Sequence, residues 1–330
     1  MVTRTMHRVA ASIISSLVVW IACCPPSAAQ SYPTKPVRIV VPYAAGGITD
    51  IVARLLGQRL AERWGQQVII DNRPGANAQL GTEVVLRAPP DGYTLLVSAD
   101  TTFVMSPHLN PNLKYDPLVD FEPISGLGYS PQAIVVHPSV AAKTVGELIA
   151  HGKAHPGEVN YGTFGIGSSG HLNIELLRMM TGARFTPVHY RGAAPAIADL
   201  IGGHIQLMIV SVGLVAEMAQ NGQLRLLAIG SDSRLPQFPD TPTLAEAGLK
   251  GFERGSWYGL VAPKGTPADI LAQISRDTQA IFGDETFQRQ SLARSYINSI
   301  AGEPAPFADM MRRESAKWKT VIDATGVKAE

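Results

Sequence analysis

The sequence predicts an α/β fold of two lobes, each a mainly parallel sheet flanked by helices, with a ligand cleft between them. Three observations carry this. Short β-branched runs alternate with amphipathic helical patterns, the rhythm of a parallel sheet covered on its faces. The rhythm occurs twice, on either side of an interruption between Thr101 and Pro123. The chain has 330 residues, 45% of them hydrophobic, enough for two domains or one large α/β domain with a full core.

The elements follow in order. Residues 37–41 are a strand candidate that ends at Pro42 and the pair Gly46-Gly47. From about Thr49 a helix begins: Ile51, Val52, Leu55, Leu56, Leu60 and Trp64 recur on one face, and Gly65 is the stop signal. Residues 68–70 are the next strand, 80–87 a short helix, Pro89-Pro90-Asp91-Gly92 a turn and 93–97 a third strand. After the Pro- and Asn-rich interruption the second run reads strand 133–136, helix 144–153, strand 159–161, the glycine-rich 162–170, and a helix with Leu172, Leu176, Leu177 and Met180 on one side. Strand 185–190, helix 194–201, strand 205–210, helix 214–220 and strand 224–229 complete it. A Pro-rich stretch, 236–242, precedes a strand at 257–261, and helices 267–282, 285–296 and 306–325 fill the C-terminus. Crossovers near 125–132 and at the Trp257 strand divide the chain into lobe 1 (30–131 and 256–330) and lobe 2 (132–255). Ligands of open α/β sheets bind at the carboxyl ends of the strands, so both lobes aim such loops at the cleft.

Residues 1–29 read as an address. Arg4 and Arg8 form a positive start without an acid, an apolar stretch runs from Val9 to Cys23, and Ser27-Ala28-Ala29 offers small residues for cleavage after Ala29. A membrane anchor fits less well, because the stretch is diluted by Ser12, Ser15 and Ser16 and is shorter than the roughly 20 residues a spanning helix needs. Lipidation of Cys23 is disfavoured by Trp20 where such sites usually carry Leu. Both cysteines, Cys23 and Cys24, lie in this leader, which argues against a disulfide scaffold and a cysteine-based zinc site. A cysteine-free exported chain with a cleavable leader is expected in a bacterial periplasm. The 28 Lys+Arg against 27 Asp+Glu give a net charge of +1, which argues against a nucleic-acid surface.

Three strand-to-helix loops stand out. In Pro42 to Asp50, glycines let backbone N–H groups face a ligand while the helix N-terminus adds positive partial charge, so a carboxylate or phosphate is the natural guest. Asp50 is an odd direct partner for an anion and reads better as holding the loop, as a favourable first-turn acid, or as binding an ammonium group. Gly165-Ile166-Gly167-Ser168-Ser169-Gly170 matches G-x-G-x-x-G literally, but the next strand ends Val188-His189-Tyr190-Arg191 with no acid for a ribose, so it reads as an anion loop. Tyr190-Arg191-Gly192 is the third, where Arg191 is either a carboxylate partner or a solvent-facing loop residue. Ser98 to Thr102, with Asp100 and Thr101, and Ser211 are further strand ends.

Enzyme constellations are poor. There is no G-x-S-x-G elbow, no H-E-x-x-H and no P-loop, and His108, His137, His151, His155, His171, His189 and His204 lack ligand spacing. No cofactor and no metal are expected.

From Tyr32 to about the C-terminus the chain resembles the Bug-type receptors, the extracytoplasmic solute-binding proteins of tripartite tricarboxylate transporters. The resemblance rests on an ordered series: Tyr32-Pro33, the Pro42–Asp50 loop, Asn72-Arg73-Pro74-Gly75-Ala76, Asp91-Gly92-Tyr93-Thr94-Leu95, Asn160-Tyr161-Gly162, Gly167-Ser168-Ser169-Gly170-His171-Leu172 and Tyr190-Arg191-Gly192. It continues through Asp199-Leu200-Ile201-Gly202-Gly203, Pro239-Asp240-Thr241-Pro242-Thr243, Glu246-Ala247-Gly248 and Trp257-Tyr258-Gly259. It implies a two-lobe periplasmic binding protein of type II-like architecture that closes over a small carboxylated metabolite. The ligand classes implied are di- or tricarboxylates, acidic amino acids, and aromatic or monocarboxylic acids. It implies carboxylate capture by backbone amides and hydroxyls, with ordered water, at Tyr43, Gly46, Gly47, Thr49 and Asp50 from one lobe and Gly167, Ser168, Ser169, His171 and Tyr190 from the other. Departures are Ile48 where small residues are frequent, Asn77-Ala78 where glycines often stand, and Ala193-Ala194 in place of a glycine-rich pair. Ile48 narrows the pocket mouth, which favours a monocarboxylate or aromatic acid over a citrate-like ligand.

The ligand-binding set expected is therefore these ten residues together with Ile48, Asn77, Asp100, Thr101, Arg191 and Ser211. The expected protein is a monomeric, non-enzymatic receptor that delivers its carboxylate to transporter membrane subunits. The alternatives are a sensory partner of a signalling receptor and, from another class, a periplasmic hydrolase using Asp50 and His171.

Overall fold

The computed structural model describes residues 32–252 and 255–328; the leader, with Cys23 and Cys24, lies outside the described residues. Residues 32–35 carry no helix or strand and belong to a unit separate from Pro36 onward. No helix among the described residues is long and apolar enough to cross a membrane.

The first half of the sheet is built from β1 (Val37–Val41), β2 (Val68–Asn72) and β3 (Thr94–Ala99), linked by helices α1 (Ile48–Trp64) and α2 (Gln79–Leu86). The strands are parallel in the order β2-β1-β3. The second half repeats this plan: β5 (Asn160–Thr163), β6 (Thr186–His189) and β7 (Leu207–Ser211) are parallel in the order β6-β5-β7, with α5 (Ser169–Thr181) and α6 (Ala193–Ile201) as crossovers. In each half the first strand is therefore central, and its C-terminal end opens at the point where the strand order reverses, where such sheets bind ligands. Helix α1 stops at Gly65, which takes φ +61 and returns its N–H to the Ala61 carbonyl.

Two antiparallel strands join the halves. β4 (Phe121–Val136) pairs with β9 (Gly255–Pro263) over residues 121–131, then with β7 over 132–136 and with β8 (Arg225–Ile229) over 133–136. β9 also pairs with β3. The segment 125–132 lies inside this 16-residue strand rather than in a break. Separate apolar clusters fill the halves, one around Phe103, Trp257, Phe307 and Trp318, and two around β5, β7 and β8.

Three segments depart from the sequence reading. The interruption after Thr101 contains a wide helical turn (Thr101–Met105) that runs into the short helix α3 (Ser106–Leu109). Phe103, Val104, Met105 and Leu109 there are fully buried, because α10 (Pro304–Thr325) packs across them. The helix expected over 285–296 is broken into α9 (Glu285–Phe287), a wide turn and a 3₁₀ turn ending at Tyr296, whose φ is +53. On α5 the buried side is Ser169 to Ile174 with Leu177; Met180, expected on the apolar stripe, is exposed. The remaining helices are α4 (Val145–Ala154), α7 (Val212–Gln220) and α8 (Ala268–Gly283), and β10 (Asn298–Ser299) pairs with β4.

Candidate ligand-binding site

The first loop connects β1 to α1. Gly46 takes φ +84, and its N–H donates to Asp50 Oδ2 at 2.9 Å. The same oxygen accepts from Arg54 Nε at 2.9 Å, and Asp50 Oδ1 accepts from Asn72 Nδ2 at 3.0 Å. Asn72 Nδ2 also donates to the Tyr43 carbonyl at 3.1 Å. Burial alone would raise the Asp50 pKa, but the bonds from Arg54, Gly46 and Asn72 outweigh it and hold the carboxyl below its ordinary range. An ionised Asp50 with these three donors ties the loop in place. Gly47 is the N-cap of α1 and has no side chain to cap it, so the first N–H groups of the helix are not consumed by a capping group. Ile48 and Thr49 are buried behind it.

The second loop connects β5 to α5. The Gly167 N–H donates to His171 Nδ1 at 3.0 Å, and a Cβ at Gly167 would fall 2.6 Å from Leu109 Cδ1. Ser168 is the N-cap of α5 with ordinary cap dihedrals (φ −63, ψ 159), yet its hydroxyl caps nothing. That hydroxyl is buried and has no hydrogen-bond partner. Ser169 Oγ accepts from Gln132 Nε2 at 2.9 Å. Because His171 Nδ1 is an acceptor, its ring proton sits on Nε2. Burial, with the His189 ring 5.1 Å away, pushes its pKa down to about 4, so the imidazole is neutral at pH 7. Tyr190 donates to Asp199 Oδ2 at 2.6 Å, and burial and Asp199 push it up to about 12.

Between the loops lies a polar floor. Tyr43 shares a hydrogen bond with Thr102 Oγ1 at 2.7 Å, and burial pushes its pKa up to about 12. Asp100 is buried and accepts from the Thr101 N–H at 2.7 Å. Tyr258, in β9, is driven upward in pKa by burial first and then by Asp100, with Ser211, Tyr43 and Ser130 also around its hydroxyl. Ser211 is the N-cap of α7 and makes no capping bond. The strand ends after β1, β3 and β7 thus converge on Tyr258. The two halves also touch directly: Gly213, at the start of α7, packs against the Ile48 side chain and the Ser295 carbonyl with no room for a Cβ.

This arrangement brings together Tyr43, Asp100 and Ser211 around Tyr258, and Ile48 against the start of α7. Asn77 and Arg191 are exposed. Asn77 lies in a run of left-handed residues, Ala76, Asn77 and Ala78, at φ 45, 51 and 72. Sequence reasoning missed Arg54, Asn72, Ser130, Gln132, Ser256 and Tyr258. The available signals were small: polar Gln132 opens an apolar strand, and Tyr258 sits within the motif Trp257-Tyr258-Gly259. No lysine or arginine among the described residues is buried. A separate groove of about 540 Å³, lined by Lys143, Leu227, Pro242 and Glu246, shares no residue with these loops.

Residues 52–327 match the family model described as tripartite tricarboxylate transporter family receptor. The protein BugT of Bordetella pertussis is 33% identical over 322 residues, covering 96% of this chain and 97% of BugT. The solved structure of R. palustris Rpa4515 with adipate is 33% identical, covers 90% of this chain and 99% of that one, and superposes with a TM-score of 0.85. MatC from Rhodopseudomonas palustris, with bound malate, is 30% identical over 88% of this chain and 100% of its own, at a TM-score of 0.81. Matched by that family model over most of its length and by BugT over nearly all of it, the chain belongs to the tripartite tricarboxylate transporter receptor family.

Proposed function

We propose that this chain is a periplasmic receptor that captures a small carboxylate between two lobes and hands it to the membrane subunits of a transporter, without catalysis. The observation that carries the mode of binding is Ser168: an N-cap serine whose buried hydroxyl bonds to nothing, at the start of a helix that needs a cap. A ligand carboxylate supplies the acceptor. The uncapped N-terminus of α1 at Gly47, the N-cap Ser211 of α7, and the neutral hydroxyls of Tyr43 and Tyr258 supply further donors. Asp50 and His171 fix the backbone of the two loops from behind. The relatives solved with adipate and malate support a carboxylate ligand.

The same reading assigns residues 30–131 and 256–330 to lobe 1 and 132–255 to lobe 2, with the leader removed after Ala29 and a monomer in solution. The change of β4 partner between Pro131 and Gln132 supports that division. A thermal-shift screen of the mature protein against di-, tri-, aromatic and amino-dicarboxylic acids tests it. A ligand at about a hundred times its Kd is expected to add about 2.7 kcal/mol of stability. No shift with any acid overturns the reading.

A further inference from the structure

The point where β4 changes partners carries a buried polar network that the ligand loops do not need for their own geometry. Gln132 Nε2 donates to Ser169 Oγ at 2.9 Å and to Ser256 Oγ at 3.0 Å. Its Oε1 accepts from Asn173 Nδ2 at 2.7 Å. Ser256 Oγ lies 3.2 Å from Ser169 Oγ and donates to it. All four side chains are at least nine-tenths buried. They come from the two strands that join the halves, β4 and β9, and from α5.

The bonds have a direction. A carboxamide has two N–H donors on one side and one carbonyl acceptor on the other. Asn173 presents an N–H to Gln132, so the Gln132 carbonyl faces Asn173 and both of its own hydrogens face the serines. Ser256 accepts one of them and donates its own hydroxyl hydrogen bond to Ser169. Ser169 Oγ therefore accepts from Gln132 and from Ser256, and its own proton is the one left unspent. The opposite polarity would strand an Asn173 N–H instead of the Asn173 carbonyl that now lacks a partner, and a buried orphan donor is the rarer defect.

We propose that Gln132 is a positioning residue that, with Asn173 and Ser256, holds Ser169 as a hydrogen-bond donor, so that this side of the site accepts a carboxylate oxygen and discriminates against a carboxamide N–H. The inference rests on the proposed receptor function and adds the element that sets its selectivity. It also makes Ser169 the link between the bound ligand and the strands that join the two halves.

Two variants reverse the polarity by different routes. Gln132→Glu replaces both donors by acceptors and draws the Ser169 proton inward. Asn173→Asp leaves position 132 intact but turns its amide toward residue 173, which presents its carbonyl to the serines. Affinities of wild type and both variants are measured calorimetrically at pH 7.5 for adipate, malate and their monoamides, with thermal midpoints recorded alongside. Each variant is expected to lose about ten-fold or more in carboxylate affinity and to lower the ratio of carboxylate to monoamide affinity, in at least the variant that stays folded. A purely structural role for Gln132 would lower both affinities together and leave the ratio unchanged; that result, or wild-type affinities in a folded variant, overturns the inference. Wild-type protein that binds neither acid and shows no shift in the thermal screen removes the receptor reading itself, and with it this one.

Discussion

The loops after β1 and β5 share one design but have opposite anchors. Each follows a central strand, carries a glycine at positive φ and opens a helix without a side-chain cap. The first is tied by an ionised Asp50, with Arg54 more than half exposed at its edge. The second is tied by a neutral imidazole, His171, deep enough that a charge there would be costly. Asp50 is buried as well, 3% exposed against 7% for His171, and it stays ionised because Arg54, Gly46 and Asn72 all donate to it. At His171 a neutral acceptor holds the Gly167 N–H without desolvating a charge. The anchor chemistry follows the partners around each group, three donors at Asp50 and a second imidazole at His171, rather than a difference in exposure.

Acid should separate the two loops. His171 has a folded pKa of about 4 against 6.5 for an ordinary histidine. Between those values the unfolded chain binds a proton that the native one refuses, so stability falls as pH drops from 6.5 toward 4. The full effect is about 3 kcal/mol. His171→Asn keeps an acceptor near Nδ1 and should flatten that part of the curve in urea titrations at stepped pH. Asp50, shifted below its reference of 3.8, contributes above that range and is lost only as pH falls through its lowered folded value. Parallel wild-type and His171→Asn curves above pH 4 would remove the neutral-anchor account.

Packing should separate them next. A Cβ at Gly170 would lie 2.6 Å from the Ile209 carbonyl oxygen, whereas one at Gly47 meets nothing closer than the Ala44 carbonyl at 3.6 Å. Gly170→Ala is expected to cost about 2 kcal/mol in denaturant midpoint and Gly47→Ala less than about 0.5. Equal costs would mean that the two loops are equally tight.

A ligand then ranks dipoles against charge. Ser168→Ala removes the unpartnered hydroxyl and should weaken carboxylate binding by about ten-fold. Arg191→Ala, at an exposed position, should change it less than about three-fold. Calorimetric titration with the acid found by screening decides, and the reverse ranking would replace the dipole site by a guanidinium clamp. The smallest effect lies outside both loops. Ala78 begins α2 at φ 72, where a Cβ is strained. Ala78→Gly should raise stability by about 0.5–1 kcal/mol, read from the thermal midpoint, and an unchanged or lower midpoint would show that the chain tolerates this backbone without strain.

Much of this was legible in the sequence because it is local. Strand 37–41 and the stop at Gly65 follow from residue types a few positions apart, and so does a helix after the glycine-rich 162–170, although it begins at Ser169, inside that segment. The buried turn at Thr101–Leu109 was not legible: Pro107 and Asn110 read as breakers, and only α10, some 200 residues on, makes Phe103 and Met105 core. The helix expected over 285–296 failed for a related reason, since its chain must bend to return Asn298 and Ser299 to β4.

By itself the sequence determined the double α/β rhythm, the glycine loops at the strand ends and the likeness to carboxylate receptors, since periodicity and turn chemistry act over a few residues. Only the tertiary structure decided which polar groups meet: Asp50 with Asn72 across 22 positions, Gln132 with Ser169 across 37 and with Ser256 across 124. Such pairs leave no period in the chain, because a hydrogen bond needs proximity in space and fixed direction, and folding supplies both only after the sheet has set its register.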